Sequence, residues 1–433
     1  MKKFLKKARW ILIPAALAAI VILWVVKFES QKPEIRPAGD SPFLGRELTF
    51  QASDWKSGLA GVRVEAVQAG RTVEVFSERF SAPRPTYVKT LSLRPLPDGL
   101  ADGEILLRIS AEDRSWNGGN TAVVERKMIL DTRPPRMNIV GGPHYINLGG
   151  AGVVSCTADE ESPVVGIRVG ERFFPGFPTG ENRFLVFFAL SPDAPRDISF
   201  SGVAEDPSGN RTTIVFRPVI KTVAFKQDTL SLSDRFLGDV VSYFKNIDPG
   251  LRGTDLEAFL TVNRTQRKLD YERLATLCKK TESRMLWSGA FLRLPNSKPM
   301  AAFGDRRTYK YDGKVVDQQV HLGVDLASTA QCPIPAANAG RVVFADPLGI
   351  HGLTVVLDHG LGLFSMYCHL SQIDVALSQD VTRGETLGLS GSTGLAGGDH
   401  LHFAMLVHGA FVNPVEWWDD HWIRDNVELK TKQ

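Results

Sequence analysis

The chain has 433 residues, 43% of them hydrophobic and 23% charged, with a net charge of only +3. That length allows several domains, and the composition is that of an ordinary soluble bulk rather than a disordered or fibrous chain. Basic residues cluster only at the N-terminus, which speaks against a nucleic-acid partner.

The first nine residues carry Lys2, Lys3, Lys6, Lys7 and Arg9, and "WILIPAALAAIVILWVV", Trp10 to Val26, follows without a charge. As a helix this run spans roughly 26 Å, enough to cross a bilayer. The basic flank stays cytoplasmic, which sends everything after Lys27 outside. A cleaved signal would need a small-x-small site after the run; "KFESQKP" has none, and Ala15 to Ala19 lie inside the run. Residues 1–32 are therefore expected to be a basic flank and an uncleaved transmembrane anchor. The chain is then a single-pass protein of the cell inner membrane, its bulk on the periplasmic or cell-wall side.

From 33 to 222 the text is short β-type runs broken by Gly, Pro, Asn and Asp. "SGLAGVRV" (Ser57 to Val64) is echoed by "SPVVGIRV" (Ser162 to Val169), and "AEDRSWNGGN" (Ala111 to Asn120) by "AEDPSGNRT" (Ala204 to Thr212). The repeat length is about 100 residues, that of one immunoglobulin-type sandwich. "DTRPPRM", Asp131 to Met137, marks the joint, since two prolines prevent regular pairing. These pieces resemble bacterial Ig-like extracellular repeats. The resemblance implies one Ig-like domain over 33–133 and another over 134–222, acting as spacers or as docking modules for cell-envelope proteins.

At 223–285 the period changes. Phe236, Val240, Val241 and Phe244 recur at helical spacing after Ser233, an N-cap. "TDLEAFLTVNRTQRKLDYERLATLCKKT" continues as one or two amphipathic helices, with Leu274 and Cys278 on one face, so Cys278 is a buried thiol. The segment is a helical connector. From 286 to 433 β-runs return, separated by Gly-rich turns, with "DHGLG" as a hairpin signal. The four cysteines, Cys156, Cys278, Cys332 and Cys368, form no zinc-type spacing. Cys332 and Cys368 share this last region, and pairing between them is left open.

Eight of the nine histidines follow residue 320. "HLGVDLAS" separates His321 and Asp325 by three residues, "MYCHLS" supplies His369, and "GGDHLHF" supplies His400 and His402. In a strand residues i and i+2 share a face, so the last pair projects together. Nitrogen, carboxylate oxygen and nitrogen suit a catalytic Zn²⁺ whose fourth position holds water. His359 and His408 are expected in hairpin turns, His351 in a loop at the groove rim, and His144 and His421 on the surface. In a strand, Cys368 should point away from His369.

The surrounding phrases, "FGDRRTYKYDGKVVDQQVHLGVDLAS", "ANAGRVVFA", "VVLDHGLGLFSMYCHLS", "VTRGETLGLSGSTG" and "GGDHLHF", closely resemble the lysostaphin-type metallopeptidases, peptidase family M23 with its LytM-like domain. The resemblance covers about 287–417. It implies a small antiparallel β fold, a zinc ion held by His321, Asp325 and His402, and two auxiliary catalytic histidines, His369 and His400. Many members have Pro where Asp399 stands, so this loop carries an extra charge beside the site.

The expected fold class is thus multidomain and mainly β: an N-terminal transmembrane helix, two Ig-like sandwiches, a helical connector and a C-terminal antiparallel β metallopeptidase domain. The activity the resemblance implies is zinc-dependent hydrolysis of peptide cross-links or bridges in peptidoglycan. The alternative is a non-catalytic LytM-like regulator that activates a cell-wall amidase.

Overall fold

The computed structural model describes residues 14–22, 24–25, 27–142, 144–159 and 162–431. The expected anchor, Trp10 to Val26, lies in good part outside the described residues; its stretch 14–22 is helical, with Leu17, Ile20, Val21 and Ile22 exposed. Among the described residues no helix is long and apolar enough to cross a membrane.

The chain divides into two compact units, residues 1–135 with 205–211, and residues 136–204 with 212–433. The first is a β-sandwich. One sheet runs Glu34–Pro37, Glu47–Ser53, Thr86–Ser92, and the other Phe43–Leu44, Thr121–Leu130, Gly103–Asp113, Leu59–Gln68, Arg71–Arg84. Period-two alternation along Gly103–Asp113 buries Ile105, Leu107, Ile109 and Ala111 in one core with Phe50, Leu59 and Val64.

The second unit opens with another sandwich, four strands in each sheet, around Val154, Ile167, Phe174, Val186 and Phe188. The sequence repeat is visible at atomic detail. Asn120 donates its backbone and side-chain N–H to the two carboxylate oxygens of Asp113 at 2.7 and 2.9 Å. Asn210 does the same to Asp206, at 2.9 and 3.0 Å. Both regions expected as Ig-like are therefore two-layer sandwiches with an Asx turn before the last long strand.

The connector is helical, as its period suggests, but not only helical. Gln227–Ser231 forms a strand that pairs in parallel with Arg306–Tyr311, whose hairpin partner is Lys314–Val320. Helix Asp234–Ile247 follows, capped by the Ser233 hydroxyl accepting from Phe236 N–H, and buries Leu237, Val240, Val241 and Phe244. The next helix starts at a capping box of Thr254 and Glu257, runs Asp255–Thr261, widens into a π turn at Val262–Gln266, and continues as Arg267–Leu277. Leu274 and Cys278 pack with Phe344, Val356, Phe364 and Met366. The connector thus covers one face of the C-terminal sheet.

That sheet runs Lys298–Ala301, Val324–Ala327, Leu401–Val407, Leu363–Leu370, Leu353–Gly360, Gly340–Pro347, Asp380–Val381, with Ala410–Val412 also paired to Leu401–Val407. All these neighbours are antiparallel. The "DHGLG" hairpin turns at Leu361 and Gly362, both at positive φ. His359 is no turn residue. It lies in strand Leu353–Gly360, fully buried, between the Ala339 carbonyl and the Ser365 hydroxyl, each at 2.7 Å. The strand runs on through Gly360, into the turn signal itself, and that puts His359 in the core.

The C-terminal turn Pro414–Trp417 meets the second sandwich through Glu416, which accepts from Asn147 Nδ2 at 2.7 Å and from Ala151 N–H at 2.9 Å. Gly150 allows this approach, since a Cβ there would stand 2.3 Å from Glu416 Oε1. Burial pushes the Glu416 carboxyl up from 4.5 to about 7, with the two donors partly opposing. A raised folded pKa means that the folded state keeps a proton the unfolded chain loses. Stability is full below about pH 4.5 and falls as pH rises towards 7, by roughly 3 kcal/mol at most. Glu416→Gln should remove that decline, as a smaller difference between urea midpoints at pH 5 and pH 8 than in the parent protein.

Candidate metal centre

Three neighbouring chain segments build the centre. Strands Val324–Ala327, Leu401–Val407 and Leu363–Leu370 lie side by side, and the register sets Asp325 opposite His402 and His402 opposite Cys368. Directly opposed residues share a face, so Asp325 and His402 project together. His321 joins them from the loop before Val324–Ala327. His321 Nε2, Asp325 Oδ1 and His402 Nδ1 stand 2.9, 2.8 and 3.0 Å apart. The three residues form a group able to hold a metal ion, and all are buried. A triangle of that size lets one ion reach each donor at about 2.0–2.2 Å.

Hydrogen bonds outside the triangle set its chemistry. His321 Nδ1–H donates to the Ala302 carbonyl at 2.9 Å, which leaves Nε2 unprotonated towards the centre. Asp325 Oδ2 accepts from Arg307 Nη2 at 3.0 Å, so Oδ1 alone faces the two imidazoles. Burial alone would raise the Asp325 carboxyl, but His321 and the other two histidines hold it well below the usual carboxylate range. Burial depresses His402 to about 4. Carboxylate and neutral imidazole are the forms that bind a cation. Gly323 is required by closeness, because a Cβ there would stand 2.5 Å from His402 Nε2.

His369 and His400 flank the triangle, their rings 4.8 Å apart. His400 does not lie within the strand: it forms an isolated bridge with Gly391, one residue before Leu401. Its ring still shares the centre with His402, with Nε2 3.6 Å from Asp325 Oδ1. Strict alternation fails at His369 too. The ladder shifts register between Leu353 and Val355, opposite this point, and His369 takes φ +62. A left-handed non-glycine costs about 1–3 kcal/mol and recurs at functional sites. The twist swings His369 to the same side as its neighbour's face, its ring 5.9 Å from that of His402. Cys368 is buried under the connector, and burial pushes its thiol up, so it is inert.

Each flanking ring is tied through Nδ1 to a backbone carbonyl, which turns its Nε2 towards the centre. His369 Nδ1–H donates to the Thr393 carbonyl at 2.7 Å, and His400 Nδ1–H to the Gly398 carbonyl at 2.8 Å. Burial, with His400 and His402 nearby, lowers His369 to about 3. Burial also lowers His400, but the Asp325 carboxylate outweighs it and the net shift is upward. A dication at the centre would push His400 down again.

All five expected side chains line one cavity of about 120 Å³. Besides Ile350, Leu395 and Gly397, three basic side chains line it that sequence reasoning did not assign to the site: Arg267, Arg307 and His351. His351 is a buried wall residue rather than a rim, 5.9 Å from His402 ring to ring. It sits on the turn Gly349–His351, which the connector holds: Asp270 Oδ2 accepts Ile350 N–H at 2.8 Å, and Tyr271 packs on the His351 ring. The "GIHG" glycines were the only signal for it. Gly349, at φ +42, leaves no room for a Cβ beside Asp270. The extra charge of Asp399 is absorbed by Ser390 Oγ–H and Gln331 N–H, at 2.6 and 3.0 Å. All four cysteines are free and buried, so Cys332 and Cys368 are not paired. His408 lies in a turn, His421 is exposed, and His144 is half-buried rather than on the surface.

Comparison with known proteins agrees with this geometry. Residues 319–414 match the model of peptidase family M23. The chain is 36% identical over 114 residues to peptidoglycan DD-endopeptidase ShyA of Vibrio cholerae, covering 26% of each protein. It is 28% identical over 153 residues to murein hydrolase activator EnvC of Escherichia coli, 35% of this chain and 36% of that one. The catalytic domain of lysostaphin from Staphylococcus simulans aligns at 27% identity and TM-score 0.26, over 30% of this chain and 96% of that domain. The chain therefore matches about a quarter to a third of its curated relatives' length. The C-terminal domain that holds the His321, Asp325 and His402 cluster is a peptidase family M23 domain.

Proposed function

We propose that this chain is an exported, membrane-anchored zinc endopeptidase that hydrolyses peptide cross-links or bridges of peptidoglycan, with His321, Asp325 and His402 as metal ligands and His369 and His400 as catalytic histidines. What carries the reading is the convergence of three donor atoms within 3.0 Å of one another, flanked by two imidazoles each fixed through Nδ1 to a backbone carbonyl. Peptidoglycan as substrate is supported by the likeness to a peptidoglycan DD-endopeptidase.

Zinc bound to such a donor set supplies Lewis acidity and a water of lowered pKa. The protein's own part is positional. Backbone carbonyls fix the Nδ1–H of both flanking rings, so each Nε2 can take a proton from water or donate to the oxygen that gains charge on the scissile carbonyl. Arg307 keeps the second Asp325 oxygen away from the reacting groups. The sandwiches would hold the catalytic head off the membrane, towards the wall.

A second reading has its own support, the likeness to a murein hydrolase activator. A regulator needs the shape of a groove, whereas five placed metal-binding and acid/base side chains serve hydrolysis. Zinc-loaded full-length protein should release peptide-linked fragments from purified cell wall, chelator should stop the release, and added zinc should restore it. No release by the metal-loaded protein would reject the enzyme.

A further inference from the structure

The connector brings a cation to the metal cavity that the ligand set does not use. Its helix widens into a π turn at Val262–Gln266, a distortion that recurs at functional sites, and Arg267 is the next residue. The guanidinium is braced from within that turn. Nε–H donates to the Asn263 carbonyl at 3.0 Å, Nη2–H to Asn263 Oδ1 at 2.6 Å, and Nη1–H to the Tyr271 hydroxyl at 3.5 Å. Asn263 is fully buried and donates in turn to Asp317 Oδ2 at 2.7 Å, while Arg264 takes Asp317 Oδ1 at 2.9 Å. Asp317 is thus already neutralised, and it holds Asn263 rather than Arg267.

Three of the five guanidinium N–H groups are used, all on neutral oxygens. Among the described residues no carboxylate lies within 4.0 Å of Arg267. Asp270, one turn on, accepts its hydrogen bonds from Gln266 and the Ile350 N–H, and acts on Arg267 only through charge at longer range. Arg267 also lines two adjoining cavities, the metal cavity and one of about 280 Å³ bounded by Leu230, Leu232, Phe236, Phe259, Tyr309 and Leu395. Of the residues lining the metal cavity only Asp325 is a carboxylate, and Arg307 already pairs with it. The junction between reacting centre and apolar channel therefore holds an excess positive charge on a fixed, half-buried fork.

We propose that Arg267 is a substrate-binding residue that takes a free carboxylate of the peptide beside the scissile bond, so the preferred substrate is a cross-linked peptide bearing a carboxylate at that position. This rests on the endopeptidase reading. A guanidinium–carboxylate pair is charge-assisted, while an amide in its place leaves N–H groups unmatched. The difference corresponds to about 10- to 100-fold.

The test gives full-length, zinc-loaded protein two cross-linked peptide dimers, identical except that the carboxylate flanking the scissile amide is free in one and amidated in the other. The free dimer should be cut with kcat/KM about 10- to 100-fold higher. Arg267→Gln should lose that preference mainly through KM while retaining zinc, and Arg267→Lys should keep part of it. Equal loss on both dimers, or a parent protein without preference, would overturn the inference. If the parent cuts neither dimer, the endopeptidase reading fails separately and calorimetric binding decides. Tighter binding of the free dimer, abolished by Arg267→Gln, keeps the carboxylate site; equal binding of the two dimers removes it.

Discussion

His402→Ala is expected to strip zinc from the protein and to take all turnover with it. The imidazole is one of three protein donors, and it sits at the middle of the register that opposes Asp325. Loss of a mere supporting hydrogen bond weakens metal sites about 10- to 100-fold, and loss of a ligand should exceed that. His321→Ala and Asp325→Ala should behave alike, with Asp325→Ala also leaving Arg307 without its partner. Metal content after dialysis, with affinity from competition against a chromophoric chelator, reads the effect directly. The variants should stay folded, because Phe403, Met405 and Val407 on the opposite face of the strand carry its packing. Undiminished zinc in His402→Ala would remove this residue from the ligand set.

His369→Ala and His400→Ala should do the opposite: keep zinc and lose turnover. Both rings are fixed through Nδ1 to backbone carbonyls, and neither is among the three converging donors. Removing a general acid or base costs about 10²- to 10⁴-fold in rate, and the loss should fall on kcat. His369→Asn makes a second variant, since Asn tolerates the left-handed backbone that position requires. Zinc lost from His400→Ala as completely as from His402→Ala would show that the pair is wrongly divided between catalysis and binding.

The histidines were legible because their chemistry is rare and their phrases are ordered along one domain. The sandwiches were legible from alternation and from the repeated Asp and Asn, which turn out to make the same two hydrogen bonds in each. What the sequence hid lies in long-range contacts. Nothing in the spacing of Arg307 announces Asp325, and Arg267 lines the cavity from a helix that follows a π turn no helical period foretells. Strict alternation, which would point Cys368 away from His369, fails because a bulge and a positive φ override the period of two. The connector's helical period hid its one strand, Gln227–Ser231, whose exposed alternate residues carry little hydrophobic signal. His351 was hidden by the turn that carries it, which is ordered by Asp270 from eighty residues earlier.

The most direct measurement is chromatography of cell-wall fragments after digestion by the zinc-loaded full-length protein, with no amidase present. Hydrolysis of cross-links predicts that peptide-linked dimers decline and monomers rise, that chelator abolishes the change, and that His400→Ala leaves the profile untouched while still holding zinc. An unchanged dimer fraction with the metal-loaded protein, together with faster release of peptides by an added amidase, would contradict the enzyme and leave the activator.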